Sequence, residues 1–141
     1  MDVNSLIATL AGAGINTSKG LEFCLGNEDL YVELLREYVR GSEEKIDNTA
    51  KFLQEDNMKD YGTLVHSMKS TSKTIGADDV SESCLALEKA ADEGDRDYIR
   101  QNHDRMIEDY KKLIALLVDA GIKAGSGSDD GDDDGVMEFA P

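Results

Sequence analysis

The chain has 141 residues, an apolar fraction of 40% and a formal net charge of −15. That length suits one domain with a short extension, able to bury a core without disulfides or metals. The acidity argues against nucleic acid and anionic membranes as partners. No stretch is long enough to span a bilayer, and the start MDVNSLIATLAGAG lacks the pattern of a signal peptide. Cys24 and Cys84 match no metal or redox spacing and read as reduced, buried thiols of a cytoplasmic protein. The only proline is Pro141, so nothing interrupts helices in the body. With Leu, Ala, Glu, Lys and Asp dominant, the composition predicts an all-α protein.

In chain order, residues 2–11 suit a short helix. Gly12, Gly14, Gly20 and Gly26 punctuate a connector with one helical turn near 19–25. Asn27, followed by Glu28 and Asp29, reads as an N-cap with an acidic first turn. From there Leu30, Leu34 and Tyr38, then Ile46, Ala50 and Leu53, recur at helical spacing. This is two helices, or one bent near Gly41. A third stretch runs from about Met58 to Ile75, with Gly76 as its C-cap. A fourth starts after Asp78 or Asp79, carries Val80, Cys84, Leu87 and Ala91 on one face, and ends at Gly94. A fifth begins near Asp95, shows Ile99, Met106, Tyr110, Leu113 and Leu117, and stops at Gly121. Antiparallel packing with short turns buries all the stripes, giving an up-and-down four-helix bundle with short N-terminal helices. The bundle is assigned to residues 1–124. Residues 125–141, rich in Gly, Ser and Asp, read as a flexible acidic tail. Asp130, Asp132, Asp134 and Gly135 match the first half of a calcium loop. The position that needs a bidentate Glu is Pro141, so no metal is expected there.

The two histidines differ. With His66 at 0° on a helical wheel, Lys69, Ser70 and Lys73 fall near about 300°, 40° and 340°, with Lys59, Gly62 and Thr63 on the same side. Tyr61, Leu64, Val65, Met68 and Ile75 gather between roughly 160° and 260°, so His66 is predicted to face solvent. Gly62 and Ser70 leave the imidazole uncovered. An exposed imidazole is a competent nucleophile near neutral pH, and a phosphoryl group on it would gain from the two lysines. Against that stands the ordinary reading of a surface histidine on a solvated face. His103, between Ile99 and Met106 on an apolar face, reads as structural. With no Cys at ligand spacing to either, a zinc site is not expected.

The run HSMKSTSKTIGA, residues 66–77, resembles the signature of histidine-containing phosphotransfer (HPt) domains. That pattern has His, an apolar residue two on, Lys three on, usually Gly four on, and an apolar–Gly pair nine and ten on. Here these are His66, Met68, Lys69, Ser70, Ile75 and Gly76. LGNEDLYVELLREYV resembles the family's opening bundle helix. SCLALEKAADEGD, with its Leu87–Glu88 pair, resembles the helix after the signature, and the likeness covers roughly residues 15–118.

The resemblance implies a four-helix bundle and a phosphorelay carrier without turnover of its own. His66 would accept a phosphoryl group, through Nε2, from a receiver-domain aspartate and pass it to another. Lys69, and with it Lys73, would offset the charge. Gly62, Thr63 and Ser70 would face the partner, Ser70 standing where the family usually has glycine. Response-regulator receivers and a histidine kinase are the implied partners. The chain would act as a monomer with no cofactor of its own, the receiver bringing Mg²⁺. The alternative is a helical interaction module that binds a receiver or another signalling partner without carrying phosphate. An enzyme with its own active site is disfavoured, since no nucleotide-binding, metalloprotease or nucleophile-elbow motif is present. The remaining carboxylates read as solvated helix faces.

Overall fold

The structure, a computed structural model, describes residues 2–123. The predicted acidic tail, with Asp130, Asp132, Asp134 and Gly135, lies outside the described residues. Seven helices make up the described part: α1 (Val3–Gly12), α2 (Thr17–Phe23), α3 (Glu28–Arg40), α4 (Ser42–Gln54), α5 (Met58–Ile75), α6 (Asp78–Glu93) and α7 (Arg96–Ala120). The protein is an all-helical bundle, as composition and periodicity predict.

The helix starts follow from local chemistry. Asp2, Asn16, Asn27, Asn57 and Asp95 each accept a backbone N–H three residues on, satisfying a donor that the helix itself leaves unpaired. α4 starts at Gly41 without a side-chain cap, which makes α3 and α4 the two-helix solution to the long amphipathic stretch. α5, α6 and α7 all end on glycines in the left-handed region, Gly76, Gly94 and Gly121.

The core gathers Leu35, Tyr61, Met68, Leu87, Met106 and Leu117, each at most 1% exposed. Two of its tyrosine hydroxyls on α3 are partnered, as burial favours. The Tyr31 hydroxyl donates to the Ile75 carbonyl at 2.8 Å, and the Tyr38 and Ser72 hydroxyls share a hydrogen bond of 2.6 Å. These two pairs link α3 to α5. Cys24 and Cys84 are free and buried.

Two predicted stripes shift. On α4 the buried positions are Ser42 and Thr49, and Ala50 is exposed. Thr49 can enter the core because its hydroxyl donates to the Ile46 carbonyl at 2.8 Å, which masks its polarity. Leu30, placed on the apolar face of the first stretch, is 45% exposed, because the buried face of α3 runs through Tyr31, Val32 and Leu35 instead.

Candidate functional site

α5 and α6 are joined by Gly76 and Ala77 alone, so they fold back on each other as a tight hairpin. Polar bonds and a close backbone approach tie them together. The Ser81 hydroxyl donates to the Lys69 carbonyl at 3.2 Å, Glu88 meets His66, and Gly62 lies against Ala91. A Cβ built on Gly62 would stand 3.2 Å from the Ala91 Cβ. Gly62 therefore faces α6 and permits its close approach, rather than lying open beside His66 as the wheel suggested. The wheel could not show that α6 covers part of the polar side of α5.

His66 sits mid-helix on the rim of that hairpin, with a side chain 56% exposed. Its Nδ1 is 2.7 Å from Glu88 Oε2, and Lys69 Nζ donates to Glu88 Oε1 at 2.8 Å. One carboxylate thus bridges the histidine and the lysine. An ionised carboxylate only accepts hydrogen bonds, so Nδ1 is a protonated nitrogen, and in the neutral ring Nε2 carries the lone pair. The side chains of Glu88 and Lys69 are 22% and 23% exposed, so the pair is part-shielded from solvent. Burial pushes the Glu88 carboxyl up, but hydrogen bonds from Lys69 and then His66 outweigh it and hold it below the usual range. Glu88 is ionised at neutral pH.

Other predicted site residues fall as follows. Lys73 is exposed one turn beyond Lys69, and its side chain forms neither a hydrogen bond nor an ion pair among the described residues. Ser70 and Thr63 are exposed, and the Thr63 hydroxyl is turned back onto the Lys59 carbonyl at 3.1 Å. Leu85, one turn before Glu88 on α6, is 49% exposed. Beneath them Cys84 is fully buried. Burial first, and the Glu88 charge second, raise its thiol to about 12, so it remains a protonated core residue.

Glu88 is the residue that reading the sequence from its own patterns missed, by treating all carboxylates as solvated. It places an anion of the protein's own between His66 and Lys69. A signal was present. His66 and Glu88 each stand eleven residues from Ala77, so a tight hairpin centred there brings them level.

His103 is structural, as expected. It is 7% exposed, and its Nδ1 shares a 2.9 Å hydrogen bond with the Tyr61 hydroxyl. Among the described residues no group of His, Cys, Asp and Glu is arranged to hold a metal ion. A cleft of about 440 Å³ between α1 and α7, lined by Thr9, Ala13, Lys112, Ala115 and Leu116, shares no residue with the His66 cluster. The candidate chemistry is on an open surface.

A family model described as "Hpt domain" matches residues 33–120, well over half of the chain and all of the His66 cluster. The chain belongs to the Hpt domain family. Hpt domains are phosphocarrier modules that act in histidine phosphotransfer within two-component phosphorelays. They interact there with histidine kinases and receiver domains. Comparison with curated proteins and with solved structures returned no significant match. No helix among the described residues is long and apolar enough to cross a membrane.

Proposed function

We propose that this Hpt domain accepts a phosphoryl group on Nε2 of His66 from a receiver-domain aspartate and passes it to the aspartate of another receiver. The observation that carries the reading is the half-exposed imidazole whose Nδ1 is held by Glu88 at 2.7 Å. That contact leaves Nε2 with its lone pair free to attack. Phosphoryl transfer needs mostly in-line positioning and charge stabilisation. α5, packed along its length against α6, gives the first. Lys69 and Lys73 contribute the second, Lys69 through the carboxylate it shares with His66.

The receiver brings the aspartate and Mg²⁺, and this chain needs no cofactor. It docks across the outer face of the α5–α6 hairpin. Gly62 lets the two helices close, Thr63 and Ser70 form a low rim around the ring, and Leu85 supplies exposed apolar surface. Ser70 in place of glycine adds only a hydroxymethyl group on an exposed turn. A single histidine face serves one receiver at a time, which fits a monomeric carrier in the cytoplasm.

The test is transfer from a phosphorylated receiver domain with Mg²⁺, read as acid-labile, base-stable label, with His66→Gln alongside. Label on the wild type and none on the variant is expected. Absence of label with several receivers, one of which still binds, would establish a binding module instead.

A further inference from the structure

The cleft between α1 and α7 shares no residue with the His66 cluster, so what fills it is independent of whether His66 is the phosphoacceptor. We propose that this cleft is an intramolecular docking site for the chain's own residues 136–139, the run Val136, Met137, Glu138 and Phe139, which lies outside the described residues.

The walls of the cleft suit an apolar occupant with one acidic group. Its volume is about 440 Å³, within the roughly 300–1,000 Å³ of pockets that bury a compact ligand. Ala13, Ala115, Leu116 and Ala120 line it, and the three alanines leave the space between the helices open. The α1 wall carries no charge at all, in a chain of which 32% is charged. Charge enters from α7 alone. Asp119 stands at the end nearer Gly121 and Lys112 at the other, about 10 Å apart at helical rise. Among the described residues neither side chain has an ion-pair partner. An apolar recess with a few placed polar groups is the usual form of a binding site.

The chain that follows α7 supplies the matching chemistry and reach. At Gly121 the helix ends in the left-handed region, and Ile122 turns in to become 1% exposed, its N–H donating to the Leu117 carbonyl at 2.9 Å. The chain therefore leaves the helix axis beside the cleft. Residues 124–135 contain only Ala, Gly, Ser and Asp, and Val136, Met137 and Phe139 are the first apolar side chains larger than alanine after Ile122. Lys123 and Glu138 are fifteen residues apart in sequence, and a flexible tether of that length spans about 20 Å on average. Lys112 is eleven residues back from Lys123, at most about 17 Å away at helical rise. A tether matched to its span gives the highest effective concentration, in the millimolar range. Asp119 repels the aspartates of residues 129–134 at the near end, which favours the far end for the apolar run. There Lys112 meets Glu138, the one charge within that run. A second copy of the chain is the competing occupant, but it would bring a charge of −15 against another −15 and has no tether.

The experiment uses the full chain with Ala140→Cys, which carries a nitroxide. Cys24 and Cys84 are 2% and 0% exposed and burial raises both thiols, so the introduced cysteine reacts selectively. In isotope-labelled protein the nitroxide broadens the NMR signals of amides close to it. Broadening is expected at Thr9, Ala13, Lys112 and Ala115. Arg96 and Arg100, at the opposite end of the 25-residue α7, should be untouched. With a tether in the millimolar range and a Kd no weaker than that, the cleft amides should lose about half of their intensity or more. Val136→Ser, Met137→Ser and Phe139→Ser made together should restore the signals. Ala115→Glu should restore them too, since it places a charged side chain at an exposed cleft position and leaves the core alone. Lys112→Glu should weaken the broadening. Cleft signals that are never broadened would overturn the proposal. Broadening that survives the triple replacement would overturn it as well, because the tether alone would then account for it. Broadening that appears when nitroxide-bearing chains without isotope are mixed with isotope-labelled chains without nitroxide would make the occupant a second copy, and would also overturn it. None of these readouts involves His66.

Discussion

Gly76 and Gly94 make a matched pair for testing what fixes the hairpin that carries His66. Both end a helix in the left-handed region, Gly76 at φ +90° and Gly94 at φ +71°. Alanine in that region costs roughly 1–2 kcal/mol whatever surrounds it. Around Gly94 nothing lies within 4 Å of an added Cβ. At Gly76 the same Cβ would stand 2.7 Å from the Asn16 carbonyl carbon and closer still to its oxygen. These are backbone atoms and cannot swing aside. Separating them breaks the hydrogen bond from the Asn16 N–H to the Gly76 carbonyl, 2.9 Å long and worth about 1 kcal/mol. Gly94→Ala should therefore cost about 1–2 kcal/mol and Gly76→Ala about 3 kcal/mol or more, a large share of the roughly 5–15 kcal/mol that holds a domain folded. Urea unfolding followed by circular dichroism, with the slope unchanged, would read both. Equal losses for the two variants would refute the reasoning, because they would show that the approach of Asn16 contributes nothing.

Tyr31→Phe removes the hydroxyl that donates to the Ile75 carbonyl in a fully buried position, and should cost about 1–3 kcal/mol in the same assay. His103 gives a pH signature. Burial lowers its proton affinity from an ordinary midpoint of 6.5, with Asp104 partly opposing. Above that midpoint His103 is neutral in both folded and unfolded chains and contributes no slope. Below it the unfolded chain binds the proton more readily, so stability should fall as pH drops through 6.5 toward the lower folded midpoint. His103→Gln should flatten that slope in urea titrations across the same window. The Glu88 contribution, held below the carboxylate range, should be present at neutral pH and lost only at more acidic pH, leaving the His103 window clear. Leu85→Glu should raise the KM for transfer from a phosphorylated receiver several-fold and leave the fold intact, since Leu85 is half exposed.

Much of the fold was legible because its signals are local. Asn27 and Asp95 announce helix starts, Gly76, Gly94 and Gly121 announce stops, and each lies where the sequence places it. Helix α2 begins two residues before the expected turn, because Asn16 caps it from a loop that glycine spacing alone does not resolve. Periodicity failed where burial was not apolar, at Thr49, whose hydroxyl is satisfied by its own helix.

The site was legible only in half. One helix wheel places His66, Lys69 and Lys73 together, because all three belong to α5. It cannot show what stands across from them. Glu88 is twenty-two residues away on another helix, and its role exists only once Gly62 lets α6 close on α5 and the Gly76–Ala77 turn fixes their register. A wheel drawn for a whole hairpin, pairing residues equidistant from the turn, would have moved Glu88 from a solvated face to the ring of His66. The same logic explains why the lysine spacing looked like an anion site waiting for a ligand. Lys69 is committed to an internal carboxylate, whereas among the described residues the Lys73 side chain has no ion-pair partner. On the proposed reading an incoming phosphoryl group meets a ring held from behind by Glu88, with Lys59 and Lys73 each seven residues from His66 along α5.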